Sequence, residues 1–114
     1  MIRIYHNQRC SKSRGALDLL KQQGRPFEVI NYLETPPSAD ELKTLLSLLG
    51  IGARQLLRNG ENDYRALGLN DPALGEEALV AAMVTHPHLI ERPIVVAHGK
   101  AIIGRPPEKV LEIL

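Results

Sequence analysis

The chain has 114 residues and a net charge of +1, from 14 basic and 13 acidic side chains. This length predicts a single domain over 1–114, and a charged fraction of 24% is typical of a globular protein. The balanced charge does not favour a protein that binds nucleic acid or a membrane surface. No apolar run approaches the roughly 18 residues of a membrane span.

The chain has one cysteine, so it cannot form an intramolecular disulfide. This excludes a disulfide scaffold and favours a reducing compartment. A strand pattern begins at Ile2 and leaves no room for the apolar stretch of a signal peptide, so we expect a cytoplasmic protein. With a single cysteine and no clustered carboxylates, the pair His86 and His88 is not expected to bind a metal.

The first third of the chain predicts a β–α–β unit. A short strand begins at Ile2, a helix runs from about residue 11 to Gln23, and residues 26–33 alternate as a second strand. These segments are long enough for two parallel strands joined by a right-handed crossover.

The middle of the chain predicts helices. Residues 38–41 have the spacing of a capping box, and leucines then recur at helical spacing as far as Gly50. Residues 53–68 predict one or two short helices, and residues 76–85 predict another. Together these elements form a helical insertion over about 38–88.

The last quarter of the chain predicts a β-hairpin and a helix. Residues 93–97 form a buried type of strand, 98–100 a tight turn and 101–103 the returning strand. A final helix follows over 108–114. Its inward side chains are predicted to be Val110, Leu111 and Leu114.

The order of these elements predicts an α/β fold of the thioredoxin or glutaredoxin type. Two parallel strands and one antiparallel hairpin make a four-stranded mixed sheet flanked by helices, with a helical insertion. In such folds the proline that opens the third strand is usually cis and faces the active thiol. By this analogy Pro93 is a candidate cis-proline.

Cys10 is the strongest candidate for chemistry. It lies between the first strand and the first helix, where the helix amides and dipole stabilise a thiolate and can hold an oxyanion. Arg9, Lys12 and Arg14 add positive potential, and a Cys-x-x-Ser sequence ending at Ser13 is the single-thiol form of a redox motif. The alternative is a small buried cysteine, although polar and basic neighbours are unusual for a core position.

Two polar side chains near Cys10 are candidates for supporting its thiolate. His6 lies four residues before Cys10, where it can polarise the thiol or orient the loop. Ser13 lies one helical turn after Cys10, where its hydroxyl can donate to the thiolate. The alternatives are a histidine that bonds loop amides and an ordinary serine of a first turn.

Three arginines lie at predicted element boundaries, where functional groups are often found. Arg58 ends a short helix, Arg92 precedes the third strand, and Arg105 precedes the last helix. Arginine offers a fixed fork of donors to a tetrahedral oxyanion and keeps its charge. The alternative for each is a solvated surface side chain.

Five motifs together resemble the glutaredoxin-dependent arsenate reductase family, in its short form, over essentially the whole chain. They are 4–7 with Cys10 and 13–14, then 32–37, 56–58, 91–96 and 104–106. The resemblance implies that Cys10 is the nucleophile and that Arg58, Arg92 and Arg105 bind the oxyanion. It also implies that His6 and Ser13, with Arg14 beside them, support the thiolate.

The resemblance implies reduction of arsenate to arsenite, with glutathione as co-substrate, glutaredoxin as partner and no bound cofactor. An external thiol is needed in any redox mechanism, because no second cysteine exists to resolve an adduct on Cys10. One alternative is a glutathione-dependent thiol/disulfide oxidoreductase with another substrate. Another is a docking module like related transcription regulators, although Ser13 replaces the second cysteine of their switch.

Overall fold

A four-stranded mixed sheet organises the fold in a computed structural model, which describes residues 2–114. Its strands are β1 (Ile2–His6), β2 (Phe27–Asn31), β3 (Ile94–Ala97) and β4 (Lys100–Ile103). They lie in the order β2-β1-β3-β4, with β1 and β2 parallel and the other neighbouring pairs antiparallel. The predicted fold class is confirmed.

The described residues also form helices. They are α1 (Ser11–Gln22), α2 (Ala39–Leu49), α3 (Ala53–Leu56), α4 (Asn62–Ala66) and α5 (Glu76–Thr85), with 3₁₀ helices at Pro87–Leu89 and Pro107–Ile113. None of the helices in residues 2–114 is both long and apolar enough to cross a membrane.

The chain divides into two compact units. The first unit contains the described residues up to Thr35 together with Arg92–Leu114, and therefore holds the whole sheet, α1 and the C-terminal 3₁₀ helix. The second unit, Pro36–Glu91, contains α2 to α5. The helical insertion predicted over about 38–88 lies within this second unit. A single domain over 1–114 stays a prediction.

The core of the first unit forms where α1 and the C-terminal 3₁₀ helix pack on one face of the sheet. Alternate residues of β1 and β3 point to this face, and residues of α1 four apart meet them from above. The buried members of this core are Ile2, Ile4, Ala16, Leu20, Val95, Ala97 and Val110. The strands β1 and β3 are held in register, with Ile4 opposite Val95.

The C-terminal segment differs from its prediction. Residues 107–113 form a 3₁₀ helix with three residues per turn, where an α-helix over 108–114 was predicted. This period places Val110 and Ile113 together against the core. Leu111 was predicted to face inward and is instead 45% exposed, so that prediction is wrong.

The second unit shows the helix ends that its sequence predicted. The Ser38 hydroxyl accepts the N–H of Glu41 at 3.1 Å, and α2 ends at Gly50 with φ of 70°. The carboxylate of Glu76, in the first turn of α5, accepts the N–H of Ala53 at 3.0 Å. This bond satisfies a free donor at the start of α3.

Gly104 allows the end of β4 to approach the start of β3. Its N–H donates to the Pro93 carbonyl at 2.8 Å. A Cβ at this position would lie 3.0 Å from side-chain atoms of both Pro93 and Val110, which are fully buried. The absence of a side chain is therefore what lets Arg105, the next residue, follow so close to Pro93.

We expect Gly104→Ala to lower the free energy of unfolding by about 1–3 kcal/mol, because two packed side chains would have to move. Urea unfolding measures this. Gly60→Ala is the matched control, since no atom lies within 4 Å of a Cβ built there. Equal stability of the Gly104→Ala and wild-type proteins would contradict the close packing.

Candidate active site

Cys10 forms the N-cap of α1 and is 9% exposed. Its N–H donates to the Asn7 carbonyl at 3.0 Å, and its own carbonyl accepts the N–H of Arg14 at 3.0 Å. No side chain among the described residues gives α1 a capping hydrogen bond at Cys10. The amides of the first turn therefore remain available as donors to an anion beside the sulfur.

The hydroxyl of Ser13 organises the loop that precedes Cys10. It accepts the N–H of Asn7 at 2.9 Å and lies 2.6 Å from Nδ1 of His6, and all three residues are buried. The hydrogen bonds that the structure gives this hydroxyl go to the loop and to the end of β1. Its donation to the Cys10 thiolate stays a prediction.

The same loop is held from its outer side. The side chain of Asn7 accepts the N–H of Arg9 at 3.0 Å, and Nη1 of Arg14 donates to the Gln8 carbonyl at 2.9 Å. Arg14 thus ties α1 to the loop while its charge stays near the start of the helix. These bonds fix the backbone on either side of the thiol, which favours a single position of the sulfur.

Arg105 is the cation that the structure places on the sulfur. Its Nη1 lies 3.8 Å from Sγ of Cys10 and donates to the carbonyl of Arg92 at 3.1 Å. The side chain is half-buried, which weakens solvent screening of its charge. Arg105 and the N-terminus of α1 therefore both place positive charge beside the sulfur.

Arg92 and Pro93 open β3 beside this contact. The peptide bonds Arg92–Pro93 and Arg105–Pro106 are both cis. Arg92 is half-buried, with its Nε fully enclosed, and its carbonyl holds Arg105. The start of β3 and the end of β4 thus bring two of the three predicted arginines together.

Arg58 lies in the second unit, between two carboxylates. Its Nη1 is 2.9 Å from Glu61, and its Nε is 3.4 Å from Glu91. Its backbone N–H donates to Leu89 at 2.8 Å, so both its backbone and its fork are fixed. The carboxylates were not predicted, although Glu61 lies at the i+3 spacing that favours an ion pair. The oxyanion-binding role of Arg58 stays a prediction.

The histidines of the second unit make a local contact. Nε2 of His88 lies 2.7 Å from a carboxylate oxygen of Asp63, and the ring of His86 meets that of His88 edge-on. In residues 2–114 there is no group of three His, Cys, Asp or Glu side chains that could hold a metal ion.

Burial lowers the pKa of His6 below its usual value of 6.5, and the positive charges of Arg14 and Lys21 lower it further. A hydrogen-bonding interaction with the backbone of Ser13 opposes this shift of the pKa. The ring is therefore neutral at neutral pH. A neutral ring with its proton on Nε2 lets the Ser13 hydroxyl donate to Nδ1 while it accepts from Asn7.

The lowered pKa of His6 predicts that acid destabilises the fold. The unfolded chain binds this proton more tightly than the folded protein does. The contribution of His6 to the free energy of unfolding is therefore present above about 6.5 and is lost as the pH falls from there through the lowered pKa of the folded protein. Urea unfolding between about pH 5 and pH 7.5 measures this slope. We expect His6→Gln to make it shallower; an unchanged slope would show that His6 does not contribute.

The chain is similar to known proteins over nearly all of its length. The sequence profile of the ArsC family matches residues 5–113. An Escherichia coli K12 protein named "Uncharacterized protein YfgD" is 59% identical over 99% of this chain and 96% of its own length. The arsenate reductase of Neisseria meningitidis serogroup A is 49% identical over 99% and 97%. A solved structure described as arsenate reductase from Vibrio cholerae has a TM-score of 0.96 at 55% identity, covering 99% of this chain and 97% of that one. The chain belongs to the ArsC family, as its motifs predicted.

Proposed function

We propose that this protein reduces arsenate to arsenite through the thiolate of Cys10, with glutathione and glutaredoxin as the external reductants. The observation that carries the proposal is the contact of the Arg105 guanidinium with Sγ of Cys10, at 3.8 Å, beside the N-terminus of α1. Amides and a cationic fork around one thiol suit an attack on an oxyanion. Two proteins of similar sequence and structure carry the name arsenate reductase.

The first step joins sulfur to arsenic. Arg105, Arg92 and the first-turn amides of α1 neutralise the oxyanion, which lets an anionic nucleophile approach it. The Cys10 thiolate attacks arsenic, a sulfur–arsenic bond forms, and one oxygen leaves as hydroxide or, after protonation, as water. Arsenic keeps its oxidation state of five in this step.

The second step transfers two electrons and needs a second thiol, because the chain has one cysteine. A glutathione thiolate attacks Sγ of Cys10, a disulfide forms, and the electron pair of the sulfur–arsenic bond passes to arsenic. Arsenic is thereby reduced from the +5 to the +3 oxidation state and leaves as arsenite. Glutaredoxin then reduces the mixed disulfide on Cys10 by thiol–disulfide exchange, and the reducing cytoplasm supplies both partners.

The experiment that tests this function measures arsenite formed from arsenate by the purified protein. We expect steady turnover with glutathione and glutaredoxin together and no more than a single turnover when glutaredoxin is omitted. Arsenite formation that is indifferent to both partners would overturn the external-thiol route. A Cys10 that forms a glutathione adduct while no arsenite appears would assign the protein to the thiol/disulfide oxidoreductases instead.

A further inference from the structure

A groove of about 220 Å3 adjoins the loop that carries Cys10. It is lined by Asn7, Gln8, Arg9, Asn31, Leu33 and Glu34. The parallel strands β1 and β2 end together, with His6 opposite Asn31, and the segments that follow each strand form its walls. The groove therefore lies at the carboxyl edge of the parallel pair, where α/β folds commonly bind ligands, and its Arg9 is the residue directly before Cys10.

The groove presents one charge of each sign. Arg9 and Glu34 are both exposed, and no hydrogen bond or ion pair holds either side chain among the described residues. Their backbones are fixed, because the N–H of Arg9 donates to Asn7 and the N–H of Glu34 donates to Asn31. The two side chains thus line one cavity without neutralising each other, and both can bind an external partner.

The size and chemistry of the groove indicate its ligand. A carboxylate suits the guanidinium fork of Arg9, and an ammonium group suits the carboxylate of Glu34. Its volume lies below the roughly 300–1,000 Å3 of most small-molecule sites, which suits one amino-acid unit better than a larger ligand. Leu33 is 40% exposed and offers an apolar surface for methylene groups.

We propose that this groove binds the zwitterionic end of a small peptide thiol and so delivers the second thiol to Cys10. The inference rests on the proposed function only in requiring that Cys10 exchanges with an external thiol. Glutathione is the probe, because its γ-glutamyl end carries an α-ammonium and an α-carboxylate group. Binding that end holds the ligand beside the loop, which raises the local concentration of its sulfur at Cys10.

The test uses thiol–disulfide exchange without arsenate. The reduced protein receives glutathione disulfide; the Cys10 thiolate attacks one sulfur, a mixed disulfide forms, and glutathione thiolate leaves with the electron pair of the broken bond. Mass spectrometry of quenched samples gives the rate. We expect Arg9→Gln and Glu34→Gln each to lower the ratio of this rate to the rate with uncharged hydroxyethyl disulfide by about fivefold or more, the loss of one charged contact.

Matched substitutions and ligands decide the result. Lys100→Gln on β4 and Glu28→Gln on β2 remove exposed charges outside the groove and should exchange with glutathione disulfide at the wild-type rate. With glutathione disulfide acetylated on its amino groups, which lacks the ammonium group, Glu34→Gln and the wild-type protein should exchange at the same rate. Wild-type rates in the groove variants, or equal losses with both disulfides, would overturn the proposal. If the groove variants show the expected rate losses and the wild-type protein forms no arsenite, the groove proposal stands and the proposed function is refuted.

Discussion

Replacing Cys10 by serine is expected to abolish arsenite formation, lowering kcat by at least about a thousandfold, as removal of a covalent nucleophile does. A hydroxyl is a far weaker nucleophile than a thiolate. It also cannot form a disulfide, and it is disulfide formation that transfers two electrons to arsenic. Initial rates with saturating glutathione and glutaredoxin, at several arsenate concentrations, measure the loss.

The same substitution should leave the fold intact, because serine is close to cysteine in size and the backbone hydrogen bonds of Cys10 to Asn7 and Arg14 do not involve its side chain. Urea unfolding is the control, and its midpoint should match that of the wild-type protein. Substantial arsenite formation by a folded Cys10→Ser protein would mean that another group carries the chemistry.

Removing the guanidinium of Arg105 is expected to lower kcat/KM for arsenate by about a hundredfold, the usual effect of one lost oxyanion donor. Its Nη1 contacts Sγ of Cys10 at 3.8 Å, so Arg105→Ala removes charge from the place where sulfur and oxyanion must meet. We expect KM for arsenate to rise as kcat falls, since the cation acts on binding as well as on attack. Initial-rate kinetics separate the two effects.

Arg105→Lys keeps the charge and loses the fork, and should recover only part of the activity. Arg25→Ala is the matched control: this exposed arginine of the same unit bonds His98 and the Leu114 carbonyl, and its loss should leave arsenate kinetics unchanged. If Arg105→Ala and Arg25→Ala behaved alike, the contact with the sulfur would have no catalytic consequence.

Local signals explain which elements were predictable. The helix α2 was predicted with its bounds because Ser38 and Gly50 mark its two ends within its own sequence. The segment 107–113 carries apolar residues that fit both α-helical and 3₁₀ periods. Packing of Val110 and Ile113 against the sheet selects the shorter period, and the local sequence does not contain that information.

In the candidate active site, too, some features follow from the local sequence and others depend on the packed fold. The position of Cys10 at a helix start follows from a strand and a helix adjacent in sequence. The partners of the Ser13 hydroxyl, His6 and Asn7, could not be predicted in this way. A spacing of three residues from Cys10 does not show that the preceding loop folds back on this hydroxyl. Nor does the sequence pair Arg9 with Glu34 in one groove, which requires the register of His6 opposite Asn31.

The contact between Cys10 and Arg105 spans 95 residues of the chain. Arg105 is therefore synthesised long after Cys10. A chain cleaved between the two positions carries the cysteine without the guanidinium that contacts its sulfur. Cys10 follows β1 and Arg105 follows β4, so the two side chains meet only when β4 has paired with β3 and β3 with β1.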